Sequence, residues 1–452
     1  MKASLEQRLF GTDGIRGRFG EGWLTLEAAS ALGRAIGVVI AHGNGRAGRL
    51  ALVGHDGRRS GPGLEAALAR GLASAGYDVT SAGLITTPGL ALLGRLKGFD
   101  LAVMISASHN PAEDNGIKIF GPSAQKLPDE LEDGIEAELR AHPEPVLAGP
   151  IPRLDPALEN AYLTHLLGAA AGLKLDGLSI VIDCANGGGS RVAPRVFGRL
   201  GAHVVSLASA PDGDNINQDC GSTHPAGLQE AVRLHSADLG IALDGDGDRC
   251  ILVDEQGALV NGDAILTLLA RERVQHGRFS DPRIVATVMS NRGLHRALRE
   301  VGVQVVTVGV GDRQVVEALR REGLELGGEQ SGHVVFGAEN DYVGDGIYTA
   351  LRVLQVLTER PAKLSELARV FRAFPQVLIN VPVARKPKLS EMPRVQDEMR
   401  RLETRLGQDG RVLLRYSGTE PLARVMVEGP DEETIRRSAQ ELANCIAREI
   451  GA

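Results

Sequence analysis

At about 100–200 residues per domain, the 452 residues leave room for three or four domains with full cores. Apolar residues at 43% and charged residues at 24% are the balance of an ordinary globular chain, and 57 glycines call for many sharp turns. A net charge of -7 and an aromatic content of 3% exclude a nucleic-acid binder, which needs an excess of Lys and Arg or stacking platforms.

The N-terminal run "MKASLEQRLFGTDGIRG" has no apolar core of a signal peptide, and no segment reaches the roughly 18 apolar residues of a membrane span. Four scattered cysteines without a C-x-x-C pair read as reduced thiols. A cytoplasmic chain with no membrane partner is expected.

Strand-like and helical patterns then alternate. "RLALVGHD" precedes "GPGLEAALARGLASAG", "DLAVMIS" precedes "PDELEDGIEAELRAH", and "LSIVIDCAN" precedes "SRVAPRVFGRLG". Such alternation predicts parallel α/β sheets covered by helices. The Pro-rich "HPEPVLAGPIPRLDP" marks a linker near residue 150, and "GDAILTLLARERVQHG" starts a new unit after two strands and an acidic loop. Phe374-Pro375 and Pro387 mark a further hinge. The tail reads strand, loop "YSGTEP", strand and a helix with Ile435, Ala439, Leu442, Ile446 and Ile450 on one stripe.

Several stretches could carry chemistry. "AVMISASHNP" ends an apolar strand on Ser106, Ser108 and His109, with Lys118 following beside a turn. A serine there suits a covalent carrier, and position alone does not choose between the two. Ser108 and His109 do not read as a hydrolase pair, because neighbours in an extended segment point opposite ways and no G-x-S-x-G elbow is present.

In "LDGDGDR", Asp244, Asp246 and Asp248 alternate with glycine, so three carboxylates can converge on one hard cation. A solvated acidic turn is the plainer alternative. An EF-hand fails because Arg249 stands where that loop needs glycine. "GGEQSGH" offers Glu329, Ser331 and His333 to a sugar, or makes a polar turn. "RYSGTEPLAR" could gather Arg415, Ser417, Gly418, Thr419 and Arg424 on a phosphate, or form a hairpin turn. "GNGRAG" matches a dinucleotide pattern but lies between a helix and a strand, the wrong context; "NGGGS" lacks a Walker lysine and reads as packing.

In this order, "FGTDGIRG", "SASHNP", "DGDGDR", "GEQSGH" and "RYSGTEP" resemble the phosphohexose mutase superfamily, across Phe10 to Glu428. "VGDR" at Val310 to Arg313 and "PDGDNINQDCGSTHP" resemble its glucosamine-phosphate branch more than its phosphomannomutase/phosphoglucomutase branch. The resemblance implies three related α/β domains with mixed and parallel sheets, at 1–153, 154–258 and 259–373, plus a smaller α+β domain at 374–452, around a central cleft.

It also implies a phosphoserine at Ser108 and Mg²⁺ on Asp244, Asp246, Asp248 and the Ser108 oxygen. Sugar hydroxyls fall to Glu329, Ser331 and His333, and the non-reacting phosphate to Arg415, Ser417, Gly418, Thr419 and Arg424. Arg16, His109, Lys118 and Arg249 map near the transferring group, with Lys118 the candidate base if crowding by cations lowers its pKa. Asp312 or Arg313 stands where some branches carry a histidine, so either binds or supports. The implied reaction exchanges hexosamine 6- and 1-phosphates through a sugar 1,6-bisphosphate, which also serves as primer, in a homodimer. The competing readings are a magnesium-dependent sugar phosphatase and a non-catalytic sugar-phosphate sensor.

Overall fold

The computed structural model describes residues 8–11, 13–44, 49–360, 362–417 and 420–451. The chain forms two bodies, Met1–Met289 with Val306–Arg369, and Ser290–Val305 with Val370–Ala452.

The first body holds sheets that repeat one plan. In the six-stranded sheet, Arg49–His55 pairs in parallel with Tyr77–Leu84 and with the wholly buried Leu101–Ile105, whose other neighbour, Asp114–Phe120, is antiparallel. In the five-stranded sheet, Ser179–Asp183 pairs in parallel with His203–Leu207 and Leu239–Leu243, and Leu239–Leu243 turns back into antiparallel Cys250–Asp254. In a third sheet, Arg283–Thr287 pairs in parallel with Leu326–Gly328, which turns back into Val334–Phe336. Each buried parallel strand thus hands over to an antiparallel neighbour through one loop: 106–113, 244–249 or 329–333. Those loops lie at the carboxyl ends of parallel strands, where open α/β sheets place ligands.

Lys118 is not beside a turn. It lies inside Asp114–Phe120, opposite Met104, and is 1% exposed.

Helices Leu26–Asn44 and Gly61–Ser74 cover the first sheet and touch backbone to backbone. A Cβ on Gly33 would lie 2.2 Å from Leu68 O, and one on Gly71 2.0 Å from Ser30 O. The core beneath includes Leu32, Ile36, Val53, Leu64, Leu68, Val103 and Ile117, with Trp23 packed against it. The two-residue strand Arg153–Leu154 pairs in parallel with Tyr77–Leu84 at the edge of this sheet.

The second body is a three-stranded antiparallel sheet, Gln376–Pro382 and Arg411–Tyr416 flanking Leu422–Glu428, packed on helices Pro393–Leu406 and Glu432–Ile450. Asp431 caps the last helix by accepting from Thr434 N at 2.8 Å, and Ile435, Ala439, Leu442, Ile446 and Ile450 are all buried. Helix Arg292–Arg299 clusters with this body. Asn291 Nδ2 donates to Phe374 O at 3.0 Å, and Arg299 pairs with Asp409 at 2.5 Å. Among the described residues, no helix is long and apolar enough to cross a membrane.

Candidate active site

The structure separates the two serines that position alone could not. Ser106 is fully buried and donates to Asp56 Oδ2 at 2.6 Å, while its oxygen accepts from Ser108 N at 2.8 Å. Ser108 Oγ instead donates to Asp244 Oδ2 at 2.6 Å. The backbone at Ser108 is left-handed, with φ 53°, which ends the strand alternation and turns the side chain toward the acidic loop.

The same twist overturns the expectation that Ser108 and His109 point apart: Ser108 Oγ and His109 Nδ1 are 3.2 Å from each other. Two side chains hold the loop from outside it. Arg58 donates to Ser108 O at 3.0 Å and to Asn110 O and Asp114 O at 2.9 Å, and Asn217 Nδ2 donates to Ser108 O at 2.9 Å.

Asp244, Asp246 and Asp248 are buried, with carboxylate oxygens within 4.8 Å of one another. Burial and the two neighbouring carboxylates push Asp244 well above the ordinary carboxylate value. Oδ1 of Asp246 and Oδ1 of Asp248 are buried without a hydrogen-bond partner. Clustered, incompletely satisfied hard oxygens fit a divalent cation of the magnesium or calcium type. Glycine is required beneath this loop: a Cβ on Gly245 would lie 2.6 Å from Ser108 O, and one on Gly187 2.0 Å from Gly245 O. The "NGGGS" stretch is therefore a seat for the acidic loop, with Gly188 N donating to Gly245 O at 2.8 Å.

A second cluster, Glu272, His276 and Glu359, is already neutralised by Arg360 and Arg278. Glu255, the apparent twelfth EF-hand position, accepts from Ser365 Oγ at 2.5 Å.

Cations surround the serine and the triad. Lys118 Nζ lies 2.8 Å from Asp246 Oδ2 and 3.0 Å from Asp13 Oδ2. Burial alone would depress the Lys118 ammonium, but Asp13, Asp246 and Asp248 outweigh it and hold its pKa above the usual lysine value. Its nearest neighbours are carboxylates rather than the cations expected. Arg249 Nε stands 3.9 Å from Asp248 and 4.0 Å from Asp244. Arg16 pairs with Asp13 and keeps a buried Nε without a hydrogen-bond partner. Burial, then Arg249 and Arg16, lower the His109 imidazole to about 4.

Arg16, His109, Arg249, Asp248, Asp312, Glu329 and His333 line one cavity of about 420 Å³. Glu329 Oε1 accepts from Gly311 N at 3.1 Å, and Ser331 Oγ is buried without a partner. His333 sits against Asp248 at 3.6 Å; burial alone would lower it, but that carboxylate raises its pKa to about 9. Asp312 takes Lys126 Nζ at 2.6 Å, and Arg313 donates to Leu127 O at 2.6 Å and Glu132 Oε1 at 2.8 Å.

The remaining group lies in the second body. Arg415 and Arg424 are direct cross-strand partners, Arg424 pairs with Glu420 at 3.1 Å, and Lys386 Nζ donates to Ser417 O at 2.6 Å. Gly418 and Thr419 lie outside the described residues, as do Gly45 to Gly48 of "GNGRAG". Sequence reasoning missed Asp13, Asp56, Arg58, Lys126 and Asn217. Of these, Asp13 inside "FGTDGIRG" and Asn217 inside "PDGDNINQDCGSTHP" carried a local signal.

Four domain families match along the chain: phosphoglucomutase/phosphomannomutase alpha/beta/alpha domain I at 7–145, domain II at 160–257, domain III at 261–374 and the C-terminal domain at 378–445. The chain belongs to the phosphoglucomutase/phosphomannomutase family, and is an isomerase that works by phosphoryl transfer. Within that family, it is 47% identical to a phosphoglucosamine mutase of Symbiobacterium thermophilum, over 98% of this chain and 99% of the relative. It is 49% identical to that of Rhodococcus opacus, over 97% and 99%.

Among solved structures, a Phosphoglucomutase/phosphomannomutase family protein from Burkholderia thailandensis superposes with a TM-score of 0.79 at 27% identity, covering 98% of this chain and 99% of its own. Aspergillus fumigatus N-acetylphosphoglucosamine mutase, solved in complex with GlcNAc-6P and magnesium, shares the fold at 20% identity and a TM-score of 0.63, covering 97% and 95%.

Proposed function

We propose that the chain interconverts glucosamine 6-phosphate and glucosamine 1-phosphate, with Ser108 as phosphoryl carrier. The single observation that carries this is Ser108 Oγ at 2.6 Å from Asp244 in a triad of buried carboxylates. The identity of 47–49% to phosphoglucosamine mutases over nearly the full chain supports the amino sugar.

Asp244, Asp246, Asp248 and the Ser108 oxygen would hold Mg²⁺, which when bound offsets negative charge on the phosphoryl oxygens. In the first half-reaction the Ser108 Oγ–P bond breaks, a P–O bond forms at the sugar 1-hydroxyl, and the hydroxyl proton ends on Ser108 Oγ. The bound product is the 1,6-bisphosphate. After it turns around, the 6-phosphoryl returns to Ser108 and the proton to the sugar.

His109 Nδ1, 3.2 Å from Ser108 Oγ and neutral at pH 7, is suited to relay that proton. Lys118, Arg16 and Arg249 serve as cations around the developing charge. By the family resemblance, Glu329, Ser331 and His333 would take sugar hydroxyls, and Arg415, Ser417 and Arg424 would take a phosphate.

The test is a product assay on glucosamine 6-phosphate with Mg²⁺ and a trace of bisphosphate primer, alongside glucose and mannose 6-phosphates. Isomerised glucosamine phosphate, lost in Ser108→Ala, is expected. Inorganic phosphate released in step with substrate loss would make the chain a phosphatase, and faster turnover of glucose or mannose 6-phosphate would move the substrate.

A further inference from the structure

We propose that Asp13 and Lys126 are positioning residues of this reaction, the two middle links of a charge chain that ties the acidic loop to the loop facing the sugar. The inference rests on the functional reading above. Asp13 uses both carboxylate oxygens on cations: Oδ1 takes Lys126 Nζ, while Oδ2 takes Lys118 Nζ at 3.0 Å and the Arg16 guanidinium. Lys118 continues to Asp246 Oδ2 at 2.8 Å, and Lys126 continues to Asp312 Oδ2 at 2.6 Å. Signs therefore alternate along Asp246, Lys118, Asp13, Lys126 and Asp312.

One end is the acidic triad. The other opens helix Asp312–Glu322, whose preceding Gly311 N donates to Glu329 Oε1 at 3.1 Å. Lys118, Asp13 and Lys126 are 1%, 22% and 16% exposed at their side chains, so water screens the chain poorly.

The physical need is local. Arg16 and Lys118 each sit on a long side chain with several rotatable bonds, and both must hold a fixed place beside the transferring group. A single carboxylate between them cancels their repulsion and sets their separation. Arg16 lines the cavity that His109 and Arg249 share, and its Nε is buried without a hydrogen-bond partner. Without Asp13, three cations would confront one another and move apart. Asp13 then acts through Arg16 and Lys118, and Lys126 acts through the loop carrying Asp312 and its tie to Glu329.

The experiment compares full-length wild type with Asp13→Asn, Asp13→Glu and Lys126→Met in the primed glucosamine 6-phosphate assay, each normalised to folded protein by circular dichroism. Asp13→Asn should lower kcat by about 100-fold without raising KM, the cost of an ångström-scale misplacement beside retained positive charge. Asp13→Glu should recover part of kcat. Lys126→Met, which leaves the Asp13 contacts to Lys118 and Arg16, should raise KM by about tenfold with kcat changed less than about threefold.

A purely structural role would scale activity with the folded fraction and leave both constants of the folded enzyme unchanged, and that result overturns the inference. Should Asp13→Asn not fold, an unchanged KM in Lys126→Met overturns it equally. A wild type that makes no glucosamine 1-phosphate overturns the functional reading and this inference with it, whereas an active wild type matched by both variants overturns this inference alone.

Discussion

Replacing Arg58 with Met isolates what holds the serine loop in place. Arg58 is fully buried, and its guanidinium is saturated: Nε binds Asp56 Oδ2 at 2.9 Å, Nη1 binds Asp114 O at 2.9 Å and also Pro111 O, and Nη2 binds Ser108 O at 3.0 Å and Asn110 O at 2.9 Å. Methionine has similar length and no donor. The substitution strands the Asp56 carboxylate, also fully buried, with Ser106 Oγ and the backbone at residue 58 as its remaining partners.

Breaking one side of a buried ion pair costs about 3–5 kcal/mol, mostly the penalty of the charge left behind. Arg58→Lys keeps the charge but cannot span the same acceptors, and should fall between. The assay is urea unfolding followed by the fluorescence of Trp23, the chain's one tryptophan, which packs on the core of the same sheet, with hydrogen exchange at 106–116 as the local readout. A Met variant whose Trp23 transition stays within about 1 kcal/mol of wild type, with unchanged exchange in the loop, would refute the reasoning.

Glu65 is buried with Oε2 unpartnered, and burial lifts its pKa from 4.5 to about 7. The folded chain thus holds a proton that the unfolded chain releases, so stability falls as pH rises between those values and stays lower above them. Glu65→Gln should match wild type near pH 4.5 and exceed it at pH 8 by up to about 3 kcal/mol, read as a melting-temperature gap that opens with pH; a gap independent of pH would refute this. Asp244→Asn relieves the carboxylate repulsion, so it should raise the melting temperature without metal and erase the gain that Mg²⁺ at 100 times its Kd gives wild type, about 2.7 kcal/mol. An undiminished Mg²⁺ response would remove Asp244 from the ligand set. Gly71→Ala would place a Cβ 2.0 Å from Ser30 O and should cost about 1–3 kcal/mol in urea unfolding as helices Leu26–Asn44 and Gly61–Ser74 are forced apart. Wild-type stability there would refute the close approach.

What the sequence disclosed was whatever its local chemistry encodes. The apolar runs "LAVMI" and "LGIAL" announce fully buried strands, and the Asp-Gly alternation of residues 244–248 announces converging carboxylates. Choosing between Ser106 and Ser108 required side chains far along the chain, because both are buried and Asp56, Arg58 and Asn217 fix which hydroxyl is held by Asp56 and which faces the acids. Asp13 and Lys126 are 113 residues apart, and no periodicity links them. The charge environment of Lys118 was hidden for the same reason: it comes from Asp13, Asp246 and Asp248, which are remote in sequence. The helix Arg292–Arg299 carries an ordinary pattern, and it is bonds to residues remote in sequence, Asp409, Gln408, Glu428 and Phe374, that tie it to the second body.

The carbonyl of Ser108 lies where Gly245 could bear no side chain, and Asn217 Nδ2, which holds that same carbonyl, would crowd a Gly245 side chain as well. Serine and acidic loop are thereby pinned together through one carbonyl. On the proposed mechanism, a bisphosphate flipping between half-reactions would do so without parting that serine from those carboxylates.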